Sequence, residues 1–197
     1  HEAAHAYAAW RLGDNTVHAL GRVTLNPLKH IDPIGTVVMP LLLYFSTGGS
    51  FVFGYARPVP VVARQLRQPR RDMALVALAG PLVNGLQALL WLALADVMQA
   101  QGLTHEAFGL RLCLAGVTSN LAMFVFNLFP VLPLDGGRIL AALLPPAWAR
   151  AFARLEPFGF YIVLLLLITG VLSRLWMAPL FEISLRVITA VLRPLFQ

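Results

Sequence analysis

Charged side chains are scarce in this sequence. Asp, Glu, Lys and Arg make up 12% of its 197 residues, against roughly 25% in soluble domains. Hydrophobic residues make up 58%, above the roughly 45–50% of such domains. Mean hydropathy is +0.73. This composition excludes an ordinary soluble domain and indicates an integral membrane protein.

Cysteine is almost absent too. The single residue, Cys113, excludes an intrachain disulfide and lies in an apolar run, where a small buried core residue is expected.

There are no internal repeats and no low-complexity linkers, so one domain is predicted over residues 1–197. Apolar runs recur along the whole chain, unlike the one short run of a secretory signal.

Three apolar segments are long enough to cross roughly 30 Å of hydrocarbon as helices. They cover residues 73–95, 112–129 and 158–178. Residues 180–196 mix apolar and charged side chains and favour an interfacial amphipathic helix, with a short final span as the alternative. The predicted fold class is therefore an all-α polytopic membrane protein, a helical bundle.

Acidic residues are outnumbered, 9 against 15 Lys and Arg, for a net charge of +6. The basic residues cluster between apolar segments, as the positive-inside rule expects, so no nucleic-acid partner is needed to explain them. The loop between residues 55 and 72 is predicted to be cytoplasmic because it carries five arginines: Arg57, Arg64, Arg67, Arg70 and Arg71. The loop at 96–111, which includes His105, has no positive excess and suits the outside. Both flanks of residues 40–55 are then cytoplasmic. This predicts a re-entrant hairpin near residues 36–55, broken near Gly48–Gly49, with Ser50 shielded from outside labelling.

The chain opens with HEAAH, residues 1–5. On a helix, residues four apart share a face, so His1 and His5 can bind one zinc ion while Glu2 stands beside it as a base. The alternative is two histidines that hydrogen-bond at an interface. Catalytic zinc needs three protein ligands and one open position, and the pentapeptide supplies two of them.

The third ligand must come from His18, His30, His105 or an acid. Most acids, Asp14 and Asp72 among them, lie in loops or at span edges, where solvation accounts for them. Asp135 lies in the apolar run FNLFPVLPLDGG, where a carboxylate is costly unless it is paired or bound to a cation. Prolines there break the helix, and glycines allow close backbone approach, so the carboxylate can be directed at a site. The alternative is that Asp135 caps a helix that starts near Gly136 and pairs with Arg138.

Two asparagines lie close to these motifs. Asn84, in AGPLVNG within the first span, needs a partner in a dry interior. It either joins two helices or directs its amide at the zinc and a substrate carbonyl. Asn127, at the start of the run that carries Asp135, is a second candidate for supporting the active site or the substrate.

HEAAH, AGPLVN and FNLFPVLPLDGG, in that order, resemble the three signature blocks of the site-2 proteases, a family of zinc intramembrane metalloproteases. GRVTLNPLKHIDPIGT, FGYARPVPV and RQPRRDMALVALAGP resemble its compact bacterial members without a PDZ or CBS domain. The resemblance covers roughly residues 1–145. The chain departs from it after PVPV, where VARQ stands in place of the Asn-Pro-Arg-Asn that relatives often carry.

The resemblance implies that His1, His5 and Asp135 bind one zinc ion and that Glu2 is the general base. Asn84 matches an asparagine near the family's active site. It also implies transmembrane protein substrates, cut within or near their spans in the lipid bilayer of a bacterial plasma membrane. Spacing along the helices puts the site nearer the cytoplasmic face. The alternatives are a metal transporter with the same ligands and a catalytically silent relative that binds membrane segments.

The position of HEAAH carries one more expectation. A helix leaves its first four N–H groups unpaired, and this is unfavourable in hydrocarbon. We therefore expect an upstream half-helix before His1 in the full protein.

Overall fold

The computed structural model describes residues 1–49, 52, 54–104 and 106–195. Within those ranges the chain forms helices and loops, without a β-strand, so the all-α prediction is confirmed. The helices are α1 Glu2–Arg11, α2 Thr16–Ala19, α3 Met39–Ser46, α4 Pro69–Ala100, α5 Phe108–Asn127, α6 Asp135–Leu143, α7 Pro146–Ala153, α8 Glu156–Ile168 and α9 Ala178–Leu192. Short 3-10 or π turns occupy Pro27–Lys29, Pro33–Val38, Ala63–Gln65, Ser173–Met177 and Arg193–Leu195.

Three helical stretches are long and apolar enough to cross a membrane: Pro69–Ala100, Phe108–Asn127 and Ser173–Leu192. Their most apolar windows have mean hydropathies of 1.7, 1.5 and 1.6, yet only 33%, 28% and 6% of each window is buried inside the protein. Apolar helices that bury so little of themselves need an apolar surrounding. The predicted spans at 73–95 and 112–129 are confirmed as helices of sufficient length.

The predicted single span at 158–178 is wrong. α8 ends at Ile168, the chain turns at Gly170 with φ +72°, and the next helical stretch begins at Ser173. Hydropathy continues through this turn, because glycine adopts a left-handed φ without a polar signal. The stretch Ser173–Leu192 favours the alternative of a final span over an interfacial helix. α7 and α8 form a further apolar pair bent by 67°.

The chain divides into two compact units, His1–Val76 and Ala77–Gln197. In the first, α1 forms because five of its ten residues are alanine, the strongest helix former, and it ends before Gly13 at φ +118°. The core of this unit contains aliphatic residues: Ala6, Ala9, Val17, Val59, Leu66 and Val76. The face of α1 that follows His5 is thus packed against protein.

A hairpin completes the first unit. Asp32 accepts backbone N–H bonds from Ile34 and Gly35 (3.0 and 2.7 Å) and starts the apolar helical stretch Pro33–Ser46. Gly48 and Gly49, both at positive φ, reverse the chain. The N–H of Tyr55 then donates to the Gly35 carbonyl over 3.0 Å. The chain has thus returned to Gly35 by Tyr55, in agreement with a break near Gly48–Gly49. Its re-entry into a membrane stays a prediction, and Ser50 lies outside the described residues.

In the second unit α4, α5 and α9 pack around Ala88, Val117 and Leu121. The indole Nε1–H of Trp176 donates to the Val125 carbonyl of α5 over 2.9 Å. Cys113 is buried at 2% exposure, as predicted. The C-terminal region, which the sequence characterised only by its hydropathy, therefore supports the span that leads to Asp135.

Candidate metal centre

Two imidazoles converge on one face of α1. His1 and His5 lie one turn apart, their Nε2 atoms are 3.0 Å apart, and their rings meet edge to face with centroids 4.6 Å apart. Two nitrogens bound to a tetrahedral zinc ion at about 2.0–2.1 Å lie roughly 3.3 Å apart. The spacing is close to that of two ligands of one ion, and it also fits the alternative of two hydrogen-bonded histidines.

His5 is oriented by a backbone group. Its Nδ1 lies 2.7 Å from the carbonyl oxygen of Val76, and only 7% of the residue is exposed. Since a carbonyl can only accept, Nδ1 carries the proton, and the neutral ring keeps its lone pair on Nε2. This is the partner that metal-binding histidines usually have on their second nitrogen. The donor chemistry of His5 therefore fits zinc.

Glu2 is held by the backbone of a distant loop. Its Oε2 accepts the N–H of Val59 over 3.1 Å. This bond fixes the direction of the carboxylate that the sequence assigns as a base. Sequence reasoning missed Val59, because a backbone donor leaves no mark on residue type.

Asp135 is the first residue of α6, with Leu134 at the N-cap position. Asp135 thus lies in the first turn of the helix, one residue past the N-cap position that the alternative gave it; its pairing with Arg138 stays untested. Only 9% of Asp135 is exposed. The chain reaches it through a tight turn, in which the N–H of Leu134 donates to the Val131 carbonyl over 3.0 Å. The turn brings the loop back into the protein, which accounts for the burial of Asp135.

Three glycines explain how that turn packs. A Cβ on Gly136 would clash with the backbone carbonyl of Leu128, and one on Gly137 with the backbone at Val131 and Leu132. In α8, a Cβ on Gly159 would clash with the Leu132 carbonyl. The loop backbone thus rests directly on α6 and α8, and this contact sets where Asp135 lies.

In the described part of the chain, one group of His, Cys, Asp and Glu side chains is a candidate set of metal ligands: His1, His5 and Asp135. Two imidazoles and a carboxylate are a donor set of catalytic zinc sites, which leave a fourth position for water. The other described histidines are engaged elsewhere: His18 stacks on Trp10, and His30 bonds the Thr24 carbonyl. His105 lies outside the described residues.

The asparagines differ in their partners. Asn84, 5% exposed, donates through Nδ2 to Oδ1 of Asn120 over 3.1 Å and so joins α4 to α5. Its role as a link between helices is confirmed; its role at the zinc stays a prediction. Asn120 was missed, although a second asparagine inside an apolar span was a usable signal. Asn127 donates to the Met123 carbonyl of its own helix over 2.9 Å, and its supporting role is likewise untested.

Two acids assigned to solvent are in fact buried. Asp14 is fully buried and accepts the backbone N–H groups of Thr16 (2.9 Å) and Val62 (2.7 Å). Asp72, 4% exposed, accepts the N–H of Gln68 over 2.8 Å at the start of α4. Solvation was the wrong explanation, because a carboxylate that accepts backbone N–H groups can be buried in a loop as well.

Curated proteins similar to this chain are named as zinc metalloproteases. "Putative zinc metalloprotease YwhC" of Bacillus subtilis (strain 168) is 38% identical over 204 aligned residues, which cover 99% of this chain and 88% of the relative. The chain belongs to this zinc metalloprotease family. "Putative zinc metalloprotease Rip2" of Mycolicibacterium smegmatis is 36% identical, and its namesake in Mycobacterium tuberculosis is 34% identical. The match to each covers 88% of this chain and 64% of the relative.

The other two comparisons add nothing to the family. No family model matches the chain. No solved structure matches it either. The curated relatives alone therefore show the family.

Proposed function

We propose that the chain is an intramembrane zinc endopeptidase of the site-2 type, which hydrolyses peptide bonds within or near transmembrane segments of other proteins. The observation that carries the proposal is the pair of Nε2 atoms of His1 and His5, 3.0 Å apart at the start of α1, to which Asp135 adds a third candidate ligand. The zinc metalloprotease relatives and the membrane-length helices support it.

His1, His5 and Asp135 would hold the ion, one per chain. When bound, zinc lowers the pKa of water towards neutrality and polarises a carbonyl. Glu2 takes a proton from the attacking water and returns it to the leaving amine. The Val59 bond to Oε2 holds the carboxylate in one orientation for both transfers. His5 stays in one tautomer, because its Nδ1–H is bound to Val76.

The substrates are membrane-spanning proteins cut in an extended strand, because an intact helix hides its carbonyls in its own hydrogen bonds. Segments with small or helix-breaking residues are cut best. The protein lies in a bacterial plasma membrane with the centre nearer the cytoplasmic face. The run of arginines between residues 55 and 72 supports this orientation.

The test is co-expression with a single-span membrane protein whose span contains glycine and proline. We expect zinc-dependent cleavage with wild type and a loss of about 10²- to 10⁴-fold with Glu2→Gln, the usual contribution of a general base. The matched control is Glu182→Gln, an exposed acid on α9 that pairs only with its neighbour Arg186 among the described residues. This control retains wild-type cleavage.

The two alternative functions give other outcomes. A metal transporter moves metal across the membrane in both wild type and Glu2→Gln. A silent relative binds the substrate span without cutting it. Cleavage that is equal in wild type and Glu2→Gln refutes the role assigned to Glu2.

A further inference from the structure

Residues 57–62, which we call the strap, carry the backbone N–H that orients Glu2. The strap has no regular secondary structure. Pro58 and Pro60 flank Val59 and have no N–H group. The strap is therefore short of donors of its own on both sides of the Glu2 contact.

A buried arginine supplies donors from outside. Arg22 is only 7% exposed. Its Nη2 donates to the carbonyls of Arg57 (2.6 Å) and Pro58 (3.2 Å), and its Nη1 donates to the carbonyl of Lys29 (2.5 Å). Burial of a guanidinium is unfavourable unless it is hydrogen-bonded, and bonds from a charged donor are the strong ones. Arg22 thus fixes the position of the strap at the two residues before Val59.

A buried carboxylate pins the other end. Asp14 accepts the N–H of Val62 over 2.7 Å through one oxygen and the N–H of Thr16 over 2.9 Å through the other. Val59, 8% exposed, packs with Ala6 and Ala9 on the α1 face. Between two charged anchors, the Val59 N–H has little freedom to leave the Glu2 carboxylate.

We propose that Arg22 is a positioning residue for the general base: it holds the strap so that the Val59 N–H fixes the Glu2 carboxylate in its working orientation. The inference rests on the role proposed for Glu2. Arg22 acts through the strap, since it donates to the carbonyls of Arg57 and Pro58 within it. Arginine suits the task, because its planar fork reaches two backbone segments, whereas lysine offers a single point of charge.

The test uses the full chain, loaded with zinc, in detergent with a cleavable single-span substrate. Arg22→Gln lowers kcat by about 10- to 100-fold, the effect of a misplaced catalytic group, and leaves KM and zinc content unchanged. Hydrogen exchange at residues 57–62 becomes faster, while that of α1 does not. Arg22→Lys recovers part of kcat. Arg64→Gln, an exposed arginine in the next turn, changes none of these.

A double variant separates positioning from a merely structural role. If Arg22 acts through Glu2, adding Arg22→Gln to Glu2→Gln lowers the residual rate no further. Full additivity overturns the inference. So does an unchanged kcat in Arg22→Gln, or zinc loss in both Arg22→Gln and Arg22→Lys, which would assign Arg22 to the ligands or the fold. Equal cleavage by wild type and Glu2→Gln refutes the proposed role of Glu2 itself, and the inference with it.

Discussion

The Nδ1–H of His5 donates to the carbonyl oxygen of Val76, 71 residues further along the chain, over 2.7 Å. The bond joins the helix that carries HEAAH to the first turns of α4 within one compact unit. It sets the ring's tautomer, so that Nε2 presents a lone pair on the side where His1 lies.

His5→Ala is expected to lose zinc. The change removes one proposed ligand and the hydrogen bond from Nδ1–H to the Val76 carbonyl, a further cost of about 0.5–1.5 kcal/mol. Zinc per chain is measured by elemental analysis after gel filtration, together with the unfolding temperature. His18→Ala is the control, since His18 is exposed and stacks on Trp10. Equal zinc content in both variants would remove His5 from the ligand set.

Asp135→Asn is expected to weaken zinc binding by more than about 100-fold, beyond the 10- to 100-fold effect of losing an outer hydrogen-bond partner. The amide keeps the shape of the side chain but has no charge to offer the cation. Competition with a chelator measures the affinity. Asp96→Asn, near the end of α4, serves as control. An affinity in Asp135→Asn that matches this control argues against the third ligand.

Gly159→Ala is expected to destabilise the protein by about 1–3 kcal/mol, as overpacking does, and to lower zinc affinity. Its Cβ would clash with the Leu132 carbonyl and displace the loop that leads to Asp135. Denaturant unfolding in detergent gives the free energy. Gly85→Ala is matched to it, because a Cβ there meets only the Phe124 ring at 3.6 Å, an ordinary contact. Equal stability of the two variants contradicts the packing described for the loop.

Asn84→Leu is expected to destabilise the protein by about 0.6–2 kcal/mol through loss of the bond to Asn120. Gln87→Leu, one turn further along α4 and exposed, leaves stability nearly unchanged. Cleavage measured where both variants are fully folded separates the two roles of Asn84. A loss of kcat specific to Asn84→Leu places its amide at the active site; wild-type kcat limits it to joining helices.

Cysteine labelling tests the orientation. In a Cys113→Ala background, Gln65→Cys is expected to react only with reagent delivered from the cytoplasm, and Gln101→Cys only with reagent from outside. Gln65 precedes α4 in the chain and Gln101 follows it, and both side chains are exposed. The reverse pattern would invert the topology that the positive-inside rule predicts.

Local features of the sequence predicted the helix that carries HEAAH and two of the membrane-length helices. HEAAH places two imidazoles one turn apart because the helical repeat is the same wherever alanine allows a helix. Hydropathy identified the helices at Pro69–Ala100 and Phe108–Asn127, because spans need length and apolar side chains alone. It failed at Gly170, where a turn interrupts an apolar run without changing its hydropathy.

Tertiary structure decided which groups hold the side chains of the candidate site in place. Val76 orients His5 and Val59 orients Glu2, across separations of 71 and 57 residues. Arg22 donates to backbone carbonyls, and Gly159, which has no Cβ, leaves room for the Leu132 carbonyl. In each case the decisive partner is a peptide N–H or carbonyl. Nearly every residue carries the same two groups, so the sequence shows the side chain that needs a partner, and only the folded chain shows which backbone group meets it.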